Sequence, residues 1–291
     1  MGQRTVADSL VAASRQLAAV LSLEKREARL EARVLAAHAW QVDHAWLIAH
    51  DTDPLSDAQI TTFESLVSRR LEGMPVAYLV GTREFYGRPF MVSADVLIPR
   101  PDTELLVERA LAHIPPDQTM DVLDLGTGSG CIAITLALER PLTNVTAVDR
   151  SSAALAIAQR NADILNARVA FLASDWFAAL NNRRFDLIVS NPPYIATADP
   201  HLARGDVRFE PLTALAAGQD GLDDLRCLIR AACAHLKPGG ALLLEHGYDQ
   251  ADAVVELLRK NGFEQISTMR DLAGQDRVSG GRWPGGVDRA G

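Results

Sequence analysis

The sequence has little cysteine and no long apolar segment. Its three cysteines, Cys131, Cys227 and Cys233, form no metal-ligand pattern, so the sequence predicts no metal site. A chain that needs no disulfide framework is typical of a reducing compartment, which indicates the cytoplasm. No apolar run approaches the roughly 20 residues of a membrane span. The first residues are too polar for the core of a signal peptide, so we expect a cytoplasmic protein without a membrane segment.

The sequence also has no excess of positively charged residues. The 291 residues carry 29 lysines and arginines against 37 aspartates and glutamates, which gives a formal net charge of −8. Tight, non-specific nucleic-acid binding depends on basic side chains that contact phosphates, so this balance argues against it, although a local basic patch is compatible with it. We expect no direct nucleic-acid partner. The length suits two domains, or one large domain with an appendage.

The chain from residue 5 to about 73 has helical patterns. In the run SDAQITTFESLVSRRLEG, Ser56 and Gln59 form a capping box and Gly73 suits the C′ position. Five apolar residues of this run fall on one helical face, namely Ile60, Phe63, Leu66, Val67 and Leu71. We interpret such stripes as the core packing of a helical domain. A partner-binding helical module is the alternative.

Residues 75 to 98 change character. The run EFYGRPFMVS has aromatic and β-branched residues on both sides of Gly87-Arg88, which predicts a β-hairpin with its turn there. The run IPRPDTELLVERAL then predicts a helix with Asp102 as its N-cap. We therefore divide the chain into a helical domain at 1–74, a hairpin linker at 75–100, a larger domain at 101–281 and a flexible glycine-rich tail at 282–291.

From residue 121 onward, strand and helix patterns alternate. Strand patterns occur in DVLDL, VTAVD, VAFLA, FDLIVS and ALLLE, and helical patterns separate or follow them. Such alternation predicts an α/β fold with a mostly parallel, Rossmann-like sheet covered on both faces. Ligands of these sheets bind beyond the carboxyl ends of the strands. The polar residues discussed next all lie at such ends.

A glycine-rich turn follows the first of these strands. In DLGTGSG, Gly126, Gly128 and Gly130 allow the backbone to approach a ligand and to turn into the next helix. A dinucleotide fingerprint would have Gly or Ala at position 131, where this chain has Cys131, and the Lys-Ser/Thr pair of a P-loop is absent. The turn favours a ligand, with a tight turn that binds nothing as the alternative.

Acidic residues stand at the ends of the next two strands. Asp149 suits the two hydroxyls of a ribose, with the N-cap of the next helix as an alternative role. In SDWF, Asp175 can accept from an exocyclic amine and Trp176 can pack on an adenine face, with a buried structural tryptophan as the alternative. No Arg or Lys stands in the glycine loop, so these residues favour adenosine bound without phosphates. S-adenosylmethionine fits, because its positive charge suits an acidic rim of Asp124, Asp149 and Asp175.

The fourth strand ends in SNPPYI, residues 190 to 195, which cannot continue a sheet because prolines lack a backbone donor. Asn191 offers a side-chain carbonyl and Pro192 a backbone carbonyl, and two fixed carbonyls can accept both hydrogens of a planar –NH2 group. Tyr194 supplies a wall for that group. The motif therefore predicts methyl transfer to an amide or exocyclic amine by positioning and charge stabilisation. A decorated turn without function is the alternative.

Taken in order, DLGTGSG, AVDRS, SDWF and SNPPYI resemble the motifs of class I methyltransferases that act on a planar amino nitrogen. Further stretches make the chain similar to the release factor glutamine methyltransferases, the PrmC/HemK family, over roughly residues 5 to 281. These stretches are PVAYLVGTREFYG, LIPRPDTE, FEPLTALAAGQDGL, LKPGGALLLEHG and DLAGQDRV. The resemblance implies a class I methyltransferase fold with a small N-terminal helical domain. Because residues 1 to about 85 carry no adenosine-site motif, we expect the helices to recognise the protein substrate rather than the cofactor.

The resemblance also implies an activity and a set of site residues. The family transfers a methyl group from S-adenosylmethionine to the side-chain amide of the glutamine in the Gly-Gly-Gln loop of bacterial class I release factors. Cofactor binding is expected of Gly126, Thr127, Gly128, Ser129, Gly130, Asp149, Trp176 and Asn191, to which the reasoning above adds Asp175. The substrate glutamine is expected at Asn191, Pro192, Pro193 and Tyr194, with Asn191 and Pro192 catalytic and Arg100 helping to close the site.

Two alternative functions stay open at this point. The same chemistry on exocyclic amines of adenine or guanine in nucleic acid also uses NPPY-like motifs, but the acidic chain and the lack of a basic target-recognition domain count against it. A non-catalytic scaffold that binds release factors is the second alternative, and the intact glycine and NPPY motifs argue against it. An NAD-dependent oxidoreductase is disfavoured by Cys131 and by NPPY, which has no part in hydride transfer.

Overall fold

The computed structural model describes residues 4–285, which form two compact units. The first unit runs to Thr82 and also includes Arg204–Phe209, whereas the second runs from Arg83 to Ala203 and continues from Glu210. The division falls inside the segment predicted as a hairpin linker. The inclusion of a short downstream segment in the helical unit has no counterpart in the sequence patterns.

Within residues 4–82 the chain forms five helices: α1 (Val6–Leu21), α2 (Lys25–Trp40), α3 (His44–Ala49), α4 (Asp57–Leu71) and α5 (Val76–Val80). The predicted capping box of α4 is confirmed, because Ser56 Oγ accepts from the Gln59 N–H and Gln59 Oε1 accepts from the Ser56 N–H at 3.0 Å. Gly73 follows the helix with a φ of 98°, as a C′ residue does.

The apolar stripe of α4 faces the core of the helical unit. Phe63 and Val67 are buried there, and Ile60, Leu66 and Leu71 pack against the same cluster. The interpretation of this stripe as core packing is therefore confirmed.

A buried arginine binds the downstream segment into the helical unit. Arg70 is only 4% exposed and pairs with Glu31 and Asp206, each at 2.8 Å. Arg208 of the same segment donates to the Glu72 carbonyl oxygen at 2.8 Å. Because a buried guanidinium without a partner is costly, the two carboxylates account for the burial of Arg70.

A hairpin of β1 (Thr82–Phe85) and β2 (Arg88–Met91) follows the helices. Its predicted turn at Gly87-Arg88 is wrong by one residue, because the turn residues are Tyr86 and Gly87. Both have positive φ, 52° and 73°, as in the type I′ turn whose twist matches that of paired strands. Arg88 is already part of β2, so it is not available to the turn.

The second unit is built on a seven-stranded sheet in the order β5-β4-β3-β6-β7-β9-β8. Its strands are β3 (Asp121–Leu125), β4 (Asn144–Asp149), β5 (Val169–Ala173), β6 (Phe185–Ser190), β7 (Leu236–Glu245), β8 (Glu264–Arg270) and β9 (Asp276–Arg282). The first five pair in parallel and β9 is antiparallel to both of its neighbours, so the predicted, mostly parallel sheet is confirmed. The strand patterns found in the sequence do not include β8 and β9.

Helices cover both faces of this sheet. They are α6 (Thr103–His113), α7 (Cys131–Glu139), α8 (Ser152–Leu165), α9 (Asp223–His235) and α10 (Ala251–Lys260). Consecutive residues of β6 alternate between two apolar clusters, since Leu187 and Val189 belong to one and Ile188 to the other. Short 3₁₀ segments at Pro200–Ala203, Gly205–Phe209 and Leu212–Ala214 follow β6.

The order of the strands fixes where a ligand can bind. From β3 the chain builds outward through β4 and β5, and then returns to add β6 on the other side of β3. The carboxyl ends of β3 and β6 thus flank the point where the strand order reverses, which is where open α/β sheets bind their ligands.

Asp102 occupies the N-cap position of α6 but does not cap it. Its backbone is already helical, with φ −61° and ψ −29°, and its side chain makes no capping hydrogen bond. The carboxylate instead lies 3.4 Å from Arg277 Nη2. The predicted capping role of Asp102 is therefore wrong, because its helical backbone is not the extended conformation from which a cap side chain bonds the first turn.

The segment predicted as a flexible tail begins inside the sheet. Arg282 is the last residue of β9, the Trp283 N–H donates to the Gly240 carbonyl at 2.8 Å, and the Gly239 N–H donates to the Trp283 carbonyl at 2.7 Å. The Trp283 ring also packs on Phe263, with centroids 5.8 Å apart. For 282 and 283 the prediction is wrong, because backbone pairing and the packing of the partly buried Trp283 against Phe263 hold them. The tail from 286 onward lies outside the described residues.

Candidate active site

A cavity of about 260 Å³ opens at the carboxyl ends of β3 to β6. Six predicted cofactor residues line it: Gly126, Gly128, Asp149, Asp175, Trp176 and Asn191. Pro193 also lines it, whereas Pro192, Tyr194 and Arg100 are not among its lining residues. Two stretches that sequence reasoning missed complete the wall, namely 94–97 after the hairpin and a segment with Pro211, Thr213 and Ala214.

The glycine turn is held from beneath by side chains that do not face the cavity. Thr127 and Ser129 are both buried, and Thr127 Oγ1 donates to Asp124 Oδ2 at 2.6 Å. The Ser129 carbonyl accepts from the amide of the buried Asn161 at 2.8 Å. Thr127, Ser129 and Gly130 thus lie outside the lining of the cavity and support the turn, while Gly126 and Gly128 line it.

Asp149 is fixed by backbone donors on both of its carboxylate oxygens. Oδ2 accepts from the Gly128 N–H and Oδ1 from the Ser151 N–H, each at 2.9 Å. Helix α8 is capped by Ser151, whose Oγ accepts from the Ala154 N–H at 3.2 Å, so Asp149 is not its N-cap. Each carboxylate oxygen can accept more than one hydrogen bond, so Asp149 retains acceptor capacity for a ligand hydroxyl.

Asp124 lies below the turn rather than on the rim of the cavity. It is fully buried, and Oδ1 has no hydrogen-bond partner among residues 4–285. Burial raises the pKa of Asp124 to about 7, the bond from Thr127 opposes that rise, and the charge of Asp149 adds to it. The expectation that Asp124 belongs to an acidic rim is therefore wrong, because in a two-sided sheet the last residues of β3 face packed layers.

Trp176 closes one side of the cavity over the glycine turn. Gly126 has a φ of 72°, and a Cβ there would also lie only 3.2 Å from Trp176 Cζ3, so both the backbone conformation and the nearby ring favour glycine. The Trp176 backbone has a φ of 48°, and its carbonyl accepts from Ser174 Oγ at 2.8 Å. Asp224, which sequence reasoning missed, lies beside Trp176, and burial raises the pKa of this aspartate. Trp176 is thus both packed and part of the cavity wall.

The Asn-Pro-Pro-Tyr segment leaves β6 beside β3. Ser190 Oγ donates to the Leu125 carbonyl at 2.7 Å, which joins the ends of the two strands. Asn191 Nδ2 donates to Thr103 Oγ1 at 3.1 Å, whereas Asn191 Oδ1 accepts no hydrogen bond within the described part of the chain. The side-chain carbonyl of Asn191 is therefore the group left for a ligand. Thr103 is a second residue that sequence reasoning missed.

Tyr194 is anchored at its backbone and near its hydroxyl. Its carbonyl accepts from Gln250 Nε2 at 2.9 Å, and its hydroxyl lies 3.5 Å from Glu245 Oε1. Burial raises the pKa of the tyrosine, as does the nearby charge of Glu245. The phenol therefore stays protonated through the neutral range.

Arg100 pairs with Glu210, whose side chain is completely buried. Glu210 Oε2 also accepts from the Ile98 N–H at 3.1 Å. The pair thus ties the chain before α6 to the residue that precedes Pro211, which lines the cavity. Arg100 holds a wall of the cavity and does not itself line it.

Two kinds of feature are absent from the part of the chain that the structure describes. It contains no group of three or more His, Cys, Asp or Glu side chains arranged to hold a metal ion. It also contains no helix long and apolar enough to cross a membrane.

Comparison with known proteins identifies both parts of the chain. The family model of the PrmC N-terminal domain matches residues 10–81, and that of the methyltransferase small domain matches residues 101–205. The release factor glutamine methyltransferase of Bordetella pertussis is 54% identical over 254 residues, which cover 87% of this chain and 94% of that protein. The Escherichia coli protein of the same name is 45% identical over 267 residues, which cover 91% and 96%.

Solved structures share the fold. A methyltransferase from Pyrococcus furiosus aligns with a TM-score of 0.53 at 19% identity, covering 75% of this chain and 97% of that one. A T. thermophilus 16S rRNA methyltransferase in complex with AdoMet and guanosine aligns with a TM-score of 0.51 at 22% identity, covering 69% and 49%. The predicted Rossmann-like methyltransferase fold is thereby confirmed.

The cavity suits the cofactor of such enzymes. A carboxylate with spare acceptor capacity, an indole ring and a glycine turn surround it, and the only cation among its lining residues, Arg150, donates to the Thr213 carbonyl at 3.2 Å. These are groups for a nucleoside rather than for a pyrophosphate. The match to the methyltransferase small domain confirms the prediction of S-adenosylmethionine. The chain belongs to the release factor glutamine methyltransferase family of S-adenosylmethionine-dependent enzymes.

Proposed function

We propose that this enzyme methylates the side-chain amide nitrogen of the glutamine in the Gly-Gly-Gln loop of bacterial class I peptide chain release factors. The observation that carries the proposal is the hydrogen bond from Asn191 Nδ2 to Thr103, because it leaves the Asn191 carbonyl as an acceptor at the cavity. An acceptor selects a substrate that brings hydrogens, such as a primary amide. The names of the relatives point to the same substrate.

Some residues at the strand ends bind the cofactor in this proposal, and others bind the substrate glutamine. In this proposal Asp149 binds the ribose hydroxyls, Asp175 accepts from the adenine amine and Trp176 packs on the adenine face. The glycine turn lies against the remaining part of the cofactor. Asn191, Pro192, Pro193 and Tyr194 receive the glutamine side chain.

When bound, S-adenosylmethionine supplies a methyl group that its sulfonium makes electrophilic. The amide nitrogen forms the new N–C bond, the electron pair of the C–S bond stays on sulfur to give S-adenosylhomocysteine, and one N–H proton leaves to water. The amide nitrogen is a poor nucleophile because its lone pair is delocalised. Asn191 Oδ1 and the Pro192 carbonyl therefore accept its two hydrogens, aim the nitrogen and stabilise the positive charge that develops there.

The helical unit carries no adenosine-site motif, and we assign it to recognition of the release factor. We also propose a cytoplasmic location, as expected from the cysteine content. Arg100 takes part indirectly, since its ion pair with Glu210 holds the segment that contributes Pro211 to the cavity.

Transfer of labelled methyl from S-adenosylmethionine tests the proposal, with release factor, DNA and RNA offered side by side. We expect label in the release factor and, by mass spectrometry, on its Gly-Gly-Gln glutamine. A release factor with glutamate at that position is the matched control, and it should accept no methyl because a carboxylate has no hydrogens for the two carbonyls. Label in nucleic acid with none in release factor would overturn the proposal in favour of the adenine or guanine alternative.

A further inference from the structure

Two buried polar residues lie behind Asn191 and have no part in the mechanism above. Thr103, the first residue of α6, is 3% exposed, and Glu245, the last residue of β7, is 1% exposed. Thr103 Oγ1 accepts the Asn191 amide at 3.1 Å, and Thr103 lies close enough to Glu245 to lower the pKa of its carboxyl group. Within residues 4–285, Glu245 Oε2 has no hydrogen-bond partner, and Oε1 lies 3.5 Å from the Tyr194 hydroxyl. A buried carboxyl group without a structural ion pair at this place requires an explanation.

An asparagine amide can present either of two groups to a substrate. Rotated by half a turn, the same side chain replaces its carbonyl oxygen with an NH2 group of nearly the same shape. Only the carbonyl can accept a hydrogen from the –NH2 group of a glutamine, whereas the NH2 group would oppose donor to donor. Asn191 must therefore be fixed in one of two orientations that packing alone distinguishes poorly.

We propose that Thr103 and Glu245 are positioning residues that fix the Asn191 amide with its carbonyl toward the substrate. An ionised carboxylate only accepts hydrogen bonds, so the single hydroxyl hydrogen of Thr103 is directed to Glu245. The Thr103 oxygen can then only accept, and it takes an N–H of Asn191. The direction of this chain, from Asn191 through Thr103 to Glu245, determines which atom of Asn191 faces the substrate. The inference rests on the proposed function, which requires an acceptor there.

The surroundings of Glu245 set the pH at which the hydrogen bonds from Asn191 through Thr103 to Glu245 can reverse their direction. Burial raises the pKa of Glu245 to about 7, the hydrogen bond from Thr103 and the charge of Arg277 lower it, and the charge of Asp102 raises it. The charged and titratable groups that face Glu245 are Asp102, Arg277, Tyr194 and Cys131. Arg277 belongs to β9 and also pairs with Asp271 at 3.0 Å, so its charge is shared.

Protonation of Glu245 would reverse the direction of these hydrogen bonds. A protonated carboxyl group can donate to Thr103, which then donates its own hydrogen to Asn191 Oδ1 and draws the carbonyl away from the substrate. The productive orientation is thus held above the pKa of Glu245, at about 7, and is lost as the pH falls below it. Glu245→Gln imitates the protonated state at every pH, because its amide can donate to Thr103.

Three variants, Thr103→Val, Thr103→Ser and Glu245→Gln, test the proposal by single-turnover methyl transfer at saturating cofactor and release factor. Thr103→Val keeps the shape without the hydroxyl, and we expect a loss of about 10²-fold, the scale of a misplaced reacting group. Thr103→Ser keeps the hydroxyl and should restore the rate. Calorimetry should show nearly unchanged cofactor affinity for all three, since neither residue lines the cavity. Equal rates for Thr103→Val and the wild type would overturn the proposal.

The pH profile separates positioning from mere packing. The wild-type rate should fall about tenfold per pH unit below about 7, as for one essential ionised group. Glu245→Gln should be slow and flat over the same range. Asp124 also titrates near 7, so a profile unchanged in Glu245→Gln would assign the step to Asp124 and remove Glu245 from the chain.

A measurement without methyl transfer distinguishes failure of this inference from failure of the proposed function. The side-chain amide signals of Asn191 in ¹H–¹⁵N spectra can be identified by their disappearance in Asn191→Asp. One of the two Nδ2 hydrogens should be protected from exchange in the wild type and in Thr103→Ser, and unprotected in Thr103→Val. Protection in an enzyme that does not methylate release factor would refute the proposed function alone. Absence of protection in the wild type would overturn the positioning chain.

Discussion

Arg100 and Glu210 lie 110 positions apart in the chain and form an ion pair in which the glutamate side chain is completely buried and the arginine is 34% exposed. Arg100→Gln leaves that carboxylate without its cation, and we expect a loss of about 1–3 kcal/mol in the free energy of unfolding. Denaturant titration measures this loss. The matched control is the double variant Arg100→Gln with Glu210→Gln, which removes the buried charge and should recover most of the stability. A double variant no more stable than the single one would contradict the argument.

Asp149→Ala should weaken binding of S-adenosylmethionine by about 1–3 kcal/mol, because the ribose hydroxyls would lose their acceptor. The carboxylate also accepts from the Gly128 and Ser151 N–H groups, so part of the effect acts through the glycine turn. Calorimetry on the folded variant provides the measurement. Asp163→Ala, an exposed acid on α8, serves as the control and should bind normally. Unchanged affinity of Asp149→Ala would remove this residue from the ribose site.

Asn191→Asp should impair methyl transfer far more than it affects folding. The shape is nearly kept, but the donor to Thr103 is lost and a full negative charge enters the cavity. That charge can bind both the substrate amino group and the sulfonium, so cofactor affinity need not fall. The nitrogen is then misplaced, and we expect about a 10²-fold lower single-turnover rate with a normal thermal melt. Asn182→Asp, at an exposed position, is the control. Wild-type transfer by Asn191→Asp would show that this residue does not orient the substrate.

The buried Asp124 should make the folded state less stable as the pH rises. Burial raises the pKa of Asp124 to about 7, so between its ordinary value of 3.8 and about 7 the folded protein holds a proton that the unfolded chain has released. Stability contributed by this group is therefore present at low pH and decreases through that window. Asp124→Asn removes the titration, so the stability of the variant relative to the wild type should be higher at pH 8 than at pH 4. Denaturant midpoints at both pH values provide the comparison, and a difference independent of pH would contradict the argument.

The strands that could be predicted from the sequence are those that form a continuous apolar run. DVLDL and FDLIVS coincide with β3 and β6, because a parallel strand covered on both faces carries few polar residues. VAFLA coincides with the edge strand β5, which is apolar in sequence although none of its residues is fully buried. The edge strand β8 alternates exposed polar residues with partly buried ones and was not recognisable in the same way. The predicted hairpin turn lies one residue too far along the chain. The position could not be found from the sequence because Tyr86, which is not glycine, adopts a positive φ.

Residues of the site that contact across the fold could not be found from local patterns. Thr103 begins a helix and Glu245 ends a strand, and only the assembled sheet brings both behind Asn191. The pair of carbonyl acceptors in Asn-Pro-Pro-Tyr could be predicted because both belong to neighbouring residues of one segment. Asp124 and Asp149 show the limit of such reasoning, since each is one of the last two residues of a strand, yet the first is fully buried and the second lines the cavity.

The chain passes between its two units three times, because Arg204–Phe209 belongs with the helices while the residues on either side of it do not. A graft of the helical unit from one family member onto another must therefore carry this short segment along with the N-terminal part. Asp206 in particular has to match the arginine that it pairs with at position 70. In a gene, the helical unit corresponds to two separate stretches of coding sequence. A simple exchange of N-terminal segments would leave mismatched partners on both sides of the junction.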